Sequence, residues 1–422
     1  MPATLFNNGL LIKPVTRLSE LSIDVDKAYP TVTVTHTPAW HLPGWLFRKR
    51  FTVDGTAAGL QTDYQMRLEV HFGPGIDSPG IVYLNGHAKD DFSDLRFLNS
   101  AGAQLDYWID TYLYSAHSFC YIWLELDSIP AAPGSADFWL YYDNPSAAAV
   151  SSGTATMDAF DDFNDGVLNG WTERDPIACT WTAEAAAAKD GAYGCQGIMA
   201  AAGDGGILTW DAATFEACRM EVWVRLPDAD TLANCQGGFV FAWVDNSNYY
   251  ILKLHDAGTT ERVYIREITG GAGADRAYTT FTIAAATWYK LTVITYKSGA
   301  NLVINVYVND VFQVAYTDTT PRATPNSVGV WCANTNLSRV WCDTWRVSKY
   351  ANPEPTFGAW LPEEGYTAYY GITNVKELAA GMQKGDILYF DGAILVKITP
   401  SYSGTNLTAK DPLNAPVFEY PP

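Results

Sequence analysis

The sequence predicts an all-β protein: two consecutive antiparallel β-sandwiches with small modules at either end. Three observations carry that expectation. Residues 45–157 and 158–350 each hold a series of short, alternating segments rich in Val, Ile, Tyr, Phe and Trp. Turn phrases separate these segments, among them Asp54-Gly55, Gly73-Pro74-Gly75 and Pro133-Gly134-Ser135. A 3.6-residue apolar period is convincing only near the C-terminal end, over 374–385.

Composition narrows the function classes. The 422 residues leave room for two or three domains, each with its own core. The net charge is −19, from 27 basic and 46 acidic residues. Nucleic-acid binding needs concentrated Lys and Arg to displace counterions, so nucleic acid is not an expected partner. No run of about 18 apolar residues marks a membrane span. The start, MPATLFNNGLLIKPV, lacks the basic segment and apolar stretch of a secretion signal. Export by the general route is therefore not expected. The seven cysteines show no CxxC or Cys/His zinc spacing and read as buried free thiols, with one disulfide such as Cys332–Cys342 as the alternative.

Taken in order, residues 1–44 read as a docking arm. Asn8-Gly9 supplies a two-residue hairpin turn, since both central positions need positive φ, and Thr31–Thr37 alternates as a strand. Residues 45–157 form the first sandwich. Here Trp45, Arg48, Phe51, Asp63-Tyr64-Gln65, Asp94 to Phe97, Tyr107-Trp108-Ile109, Trp123 and Tyr141 to Pro145 follow one another in a characteristic order. That order resembles the DUF2341 domain family, which carries Gly where this chain has Asp143. The resemblance implies a β domain that stands beside lectin-like domains in surface and viral proteins.

Residues 158–350 open on Ala159 to Gly166. The phrases FDDF, FAWVDNSNYY, WYKLTV, VNDV and CDTWRV then follow in sequence. This order resembles concanavalin-like (laminin G-like) jelly rolls, and implies that the first and last strands are neighbours. Residues 351–366, with three prolines, read as a linker. In 367–422, Asn374 caps a helix through Glu377, with Val375, Leu378, Ala379 and Met382 on one face and Gly385 at its end. Asp391-Gly392 turns a hairpin after it. This module resembles the terminal hairpins of phage tail and fibre proteins.

Four chemistries bear on these residues. Asp161, Asp162 and Asp165, with Asp343 on the last strand, offer hard oxygens for a structural Ca²⁺, the one cofactor expected; the alternative is that they cap turns. Trp243, Asp245, Asn248, Tyr249, Tyr250 and Tyr264 offer stacking faces and hydrogen-bond partners for a glycan, with Trp288, Tyr307 and Trp331 as further aromatics; against this stands plain core packing. Hydrolysis needs paired carboxylates, and Glu221 and Glu267 stand apart, so no enzyme is expected. The six histidines show no HExxH spacing, and no GxSxG or phosphate-loop phrase occurs.

These readings combine into a virus or phage structural protein, a tail, spike or head-fibre component on the outer surface of a virion. It would contact other virion proteins and sister subunits as a homo-oligomer, and bind host-surface glycans. The first alternative is a non-viral cell-surface protein that binds or degrades carbohydrate. The second is an architectural subunit with no ligand.

Overall fold

Side chains from alternate strand positions fill one core in each sandwich, and several inner strands are buried on both faces. The computed structural model describes residues 42–365 except 116–117, 175–178, 200–204, 211–214, 216, 227–234, 257–259, 323–326 and 334–338. Outside 42–365 it describes eight short strands. These form four hairpins: Thr4–Leu5 with Leu11–Ile12, Leu21–Asp24 with Thr31–Val34, Ile387–Phe390 with Leu395–Ile398, and Asn406–Thr408 with Val417–Glu419. Phe390 pairs with Leu395, leaving residues 391–394 between the strands where a two-residue turn was expected. The helix expected at 374–385, and with it the phage-fibre-like character of that module, lies outside the described residues.

Phe47–Glu364 form one compact unit. Its first sandwich has one sheet in the order Tyr107–Ser115, Phe119–Ile129, Gln61–His71, Ile81–Tyr83. The facing sheet runs Thr356–Trp360, Phe47–Asp54, Ser135–Tyr142, Arg96–Asn99, Gln104–Leu105. Along Ser135–Tyr142, Phe138, Leu140 and Tyr142 enter the core, while Trp139 faces outward beneath the Arg48 guanidinium at 4.1 Å.

One strand of that sheet was not expected. Thr356–Trp360 comes from the presumed linker and returns, after the second sandwich, to pair with Phe47–Asp54. A register shift between Phe357 and Trp360 lets both rings pack on the first core, with Trp360 at 4.6 Å from Phe51. Pro353, Pro355 and Pro362 flank the strand, so no ladder donor is lost within it. Tyr142 Oη donates to Glu363 at 2.6 Å, and Arg48 pairs with Glu364 at 2.8 Å. The segment is the closing strand of the first sandwich.

The second sandwich sits between those two visits. One sheet runs Cys179–Glu184, Gly194–Met199, Arg339–Lys349, Cys218–Arg225, Trp288–Ser298, Asn301–Val308, Val311–Asp318. Ala159–Asp161 pairs alongside Arg339–Lys349, so first and last strands are neighbours as the sequence implied. The opposite sheet runs Trp171–Glu173, Gly205–Trp210, Ser327–Ala333, Gln236–Asp245, Asn248–Asp256, Glu261–Thr269, Ala272–Thr280. Val222, Val224, Phe239, Phe241, Leu252 and Val330 are among the side chains that fill the space between. All seven cysteines are buried thiols outside any disulfide; Cys342 pairs in register with Cys195, not with Cys332.

The two sandwiches meet on a charged, aromatic joint. Arg346 is 2% exposed; its Nε donates to Glu221 at 2.8 Å and its Nη2 to Asp110 of the first sandwich at 3.2 Å. Trp108 and Trp123, also of the first sandwich, lie 5.1 and 5.4 Å from that guanidinium. Burial opposes the charge on Glu221, but Arg346, Lys290 and Arg219 outweigh it and hold that carboxyl well below its usual range. For Asp110 burial wins over Arg346 and Lys290, and its pKa is raised. Glu221 is therefore the principal counter-charge of Arg346.

Beside this pair, Gln65 Nε2 donates to Glu125 at 3.3 Å and to Asp158 at 3.2 Å, and its Oε1 accepts from the Lys349 N–H at 2.9 Å. Removing one partner of a buried ion pair strands the other, so Arg346→Ala should cost about 3–5 kcal/mol, read by denaturant unfolding. A loss below about 1 kcal/mol would show the joint to be solvated. Burial, then Asp63, Asp106 and Asp158, raise Glu125 from 4.5 to about 7. A pKa raised by folding gives stability that is present below the unfolded value and lost as pH rises through the folded one. Wild type should therefore lose Tm between about pH 5 and 8 relative to Glu125→Gln. Parallel Tm curves for the two proteins would refute this.

Candidate functional site

The outer face of the Gly205–Trp210/Ser327–Ala333/Gln236–Asp245/Asn248–Asp256/Glu261–Thr269 sheet carries an apolar strip of Ile207, Val240, Ile251, Ile268 and Trp331. Trp243, Tyr249 and Ala333 flank it, partly exposed. Strand alternation alone would send residue 243 inward with Phe239 and Phe241. It does not, because the register slips between Val240 and Trp243 on one side and between Phe241 and Asp245 on the other. Ala242 takes φ 46° at this bulge, a region that non-glycine residues seldom adopt. The extra residue re-aims the Trp243 indole onto the outer face.

Around that indole lies an open depression of about 540 Å³, lined by Glu173, Arg174, Trp243, Asp245, Asn246 and Ser247. The Arg174 guanidinium stacks over the indole at 4.3 Å, and its Nε donates to Thr209 Oγ1 at 2.7 Å. Asn246 Nδ2 donates to the Arg174 carbonyl at 2.7 Å, tying hairpin to strand. Trp243 Nε1 has no hydrogen-bond partner among the described residues.

The structure distributes the six sequence-derived candidates unevenly. Trp243 and Tyr249 stand on the outer face. Asp245 and Asn248 close the hairpin between their strands: Asp245 accepts from the Ser247 N–H at 2.7 Å and from Asn248 Nδ2 at 2.9 Å. Asn248 Oδ1 in turn accepts from the Gly270 N–H at 3.2 Å. Only Asp245 of the two also lines the depression.

Tyr250 must be corrected. It points inward, fully buried, with its hydroxyl donating to Asp318 at 2.5 Å, because neighbours on a strand face opposite ways. Tyr264 is on the outer face but 7% exposed, walled in by polar neighbours. Lys253 Nζ sits 4.8 Å from its ring and donates to Gln236 at 2.8 Å, and Arg262 Nη1 donates to its hydroxyl at 3.2 Å. Burial pulls the Lys253 ammonium down to about 8. Sequence reasoning did not find Glu173, Arg174 and Asn246. The first two lie at the end of the Trp171–Glu173 strand, roughly 70 residues away in the chain, and no local phrase announces them.

The four aspartates are not gathered as ion ligands. Asp161 accepts from the Phe163 N–H and from Trp171 Nε1, both at 2.6 Å. Asp162 accepts from the Asn164 N–H at 3.2 Å and Asp165 from the Val167 N–H at 3.1 Å. Asp343 takes the N–H groups of Lys189, Asp190 and Thr344 at 2.6, 3.0 and 2.6 Å. Burial still raises Asp161 and Asp343 to about 6 each, despite these donors. Among the described residues, no group of three or more His, Cys, Asp or Glu is placed to hold a metal ion. The carboxylates cap turns.

Residues 91–184 match a family described as a domain of unknown function (DUF2341). The match starts in the first sandwich, crosses the joint and ends on the Cys179–Glu184 edge strand, further along than the 45–157 marked by the sequence motifs. No curated protein matches the chain. Among solved structures, carbohydrate-binding module CBM66 from Bacillus subtilis is 15% identical over 44% of this chain and 98% of its own, with a TM-score of 0.33. A Bacillus subtilis protein of unknown function with a galectin-like fold is 8% identical, covering 46% and 96%, at a TM-score of 0.36. The GH43 protein BlXynB from Bacillus licheniformis is 14% identical, covering 54% and 47%, also at 0.36. Among the described residues, no helix is long and apolar enough to cross a membrane.

With every aspartate of the first-strand group already accepting N–H donors, EGTA should leave the melting curve of the purified chain unchanged. A fall of several degrees, restored by Ca²⁺, would contradict this assignment.

Proposed function

We propose that the second sandwich is a non-catalytic binding module for neutral oligosaccharides, and that the Trp243 depression is its ligand site. The observation that carries this reading is the bulge at Ala242, which spends an unfavourable φ to place a large aromatic on an outward sheet face. Sugars bind aromatic rings through their C–H faces and satisfy their hydroxyls with amides, hydroxyls and carboxylates. Trp243 supplies the first; Asn246, Ser247, Asp245 and Glu173 supply the second. Tyr249 extends the apolar surface along the strand.

Binding without turnover is favoured by what the carboxylates do. Asp245 holds its own turn, and Glu173 accepts the Trp181 N–H at 2.8 Å. Glu267, two strands over from Asp245, is paired with Arg276 and Arg322 at 2.8 and 3.0 Å. None of the three is held ready to donate a proton to a glycosidic oxygen. The particle reading of the sequence rests on the missing export signal, the extracellular-style domains and the fibre-like C-terminal module, and the ligand site stands independently of it. An outward-facing, surface-exposed location suits such a module.

The test is a glycan array probed with the full chain and with three variants. Trp243→Ala should weaken binding by about 10- to 100-fold, the value of one lost aromatic stack. Tyr250→Phe should bind as wild type, since its ring is in the core, and Trp223→Ala, on the outer face of the opposite sheet, should do the same. Bound oligosaccharides should be recovered unshortened. Failure to bind any neutral oligosaccharide, or full binding by Trp243→Ala, would overturn the proposal.

A further inference from the structure

Four of the seven cysteines converge between the two sheets of the second sandwich. Cys195 and Cys342 are cross-strand partners within one sheet. Cys179 and Cys332 approach from opposite sheets, with their sulfurs 3.4 Å apart and both side chains buried. Cys332 Sγ also lies 3.3 Å from Met199 Sδ. The surroundings are cut to fit this pair. Gly206 stands in register with Cys332, and any side chain there would overlap Cys179. A Cβ at Gly197 would sit 3.0 Å from Cys332 Sγ.

We infer that Cys179 and Cys332 are a latent disulfide that staples the two sheets of the second sandwich when the chain meets an oxidising disulfide. The sulfurs need to close from 3.4 Å to about 2.05 Å. The bridge would join positions 153 residues apart, so it would remove much freedom from the unfolded chain. The inference is independent of the ligand site, which lies on the outer face.

The chemistry is thiol–disulfide exchange with a small-molecule disulfide such as oxidised glutathione. The Cys179 thiolate attacks one sulfur of the reagent, forming a mixed disulfide and expelling one glutathione thiolate. Cys332 sulfur then attacks Cys179 sulfur and expels the second. The two thiol protons pass through solvent to the two expelled thiolates, and the two electrons reduce the reagent's S–S bond, leaving two glutathione thiols. Access runs through Cys179, because Cys179–Glu184 is the edge strand of its sheet and, among the described residues, pairs only with Gly194–Met199. Cys332 lies on an inner strand between Gly205–Trp210 and Gln236–Asp245, and its burial keeps the thiol protonated. The closed core is therefore slow to react, and fraying of the edge strand starts the exchange.

The experiment uses the full chain, reduced and then incubated with oxidised glutathione under native conditions and, separately, during refolding. Remaining thiols are alkylated after unfolding and the peptides are mapped. The expected result is a Cys179–Cys332 cross-linked peptide with the other five cysteines alkylated, and a Tm at least about 5 °C above that of the reduced protein. Cys179→Ala should show no such gain, and the reduced wild type serves as the folded reference if that variant is unstable. A link between any other pair, glutathione adducts alone, or no link even after refolding would overturn the inference.

Discussion

Arg346 is the constraint on which the arrangement turns. Its guanidinium is shut away from water at the meeting of two β-sandwiches, so it must be neutralised and hydrogen-bonded where it stands. Glu221 does most of this from the next strand, and Asp110 adds one hydrogen bond from the other sandwich. Lys290 lies 3.8 Å from Glu221 and 2.6 Å from Asp310, which extends the network toward the surface. Trp108, Trp123 and Met157 pack together beside it, with Phe160 against them. A charge buried in this way defines one geometry, since sliding either sandwich would strand it unpaired.

The returning strand acts in the same direction. Thr356–Trp360 closes the first sandwich only after the second has been built, so the second is in effect a long insertion. Glu354 reinforces the return: it pairs with Arg219 of the second sandwich at 3.0 Å and accepts from Tyr64 Oη of the first at 3.2 Å. A well-braced base would matter for the proposed ligand face on the far sheet, because ordering a loose platform would cost affinity. The face itself is made by one irregular residue. Without the bulge at Ala242, Trp243 would compete with Phe239 and Phe241 for the core.

The sequence made the regular parts of this structure legible. Period-2 alternation placed the strands of both sandwiches, and the neighbouring of first and last strands followed from the resemblance. The same alternation could not assign faces, because both outer surfaces also carry aromatics; Tyr249 and Tyr250 look alike in the sequence and point in opposite directions. Residues 351–366 looked like a linker because prolines mark breaks, whereas Phe357 and Trp360 were the informative residues. The aspartates at 161, 162 and 165 looked like ligands because composition does not reveal which backbone N–H groups will claim them. Arg174 and Glu173 reach the depression through tertiary pairing alone, beyond the reach of any local motif.

The measurement that goes most directly at the joined architecture is native-state hydrogen exchange on the full chain across a denaturant series. The slowest amides of Phe119–Ile129 and Ser135–Tyr142 in the first sandwich, and of Cys218–Arg225 and Arg339–Lys349 in the second, should merge onto one opening free energy. That result would show the two sandwiches unfolding as a single cooperative body around Arg346. Two separate isotherms, with the second sandwich opening while the first stays closed, would contradict it.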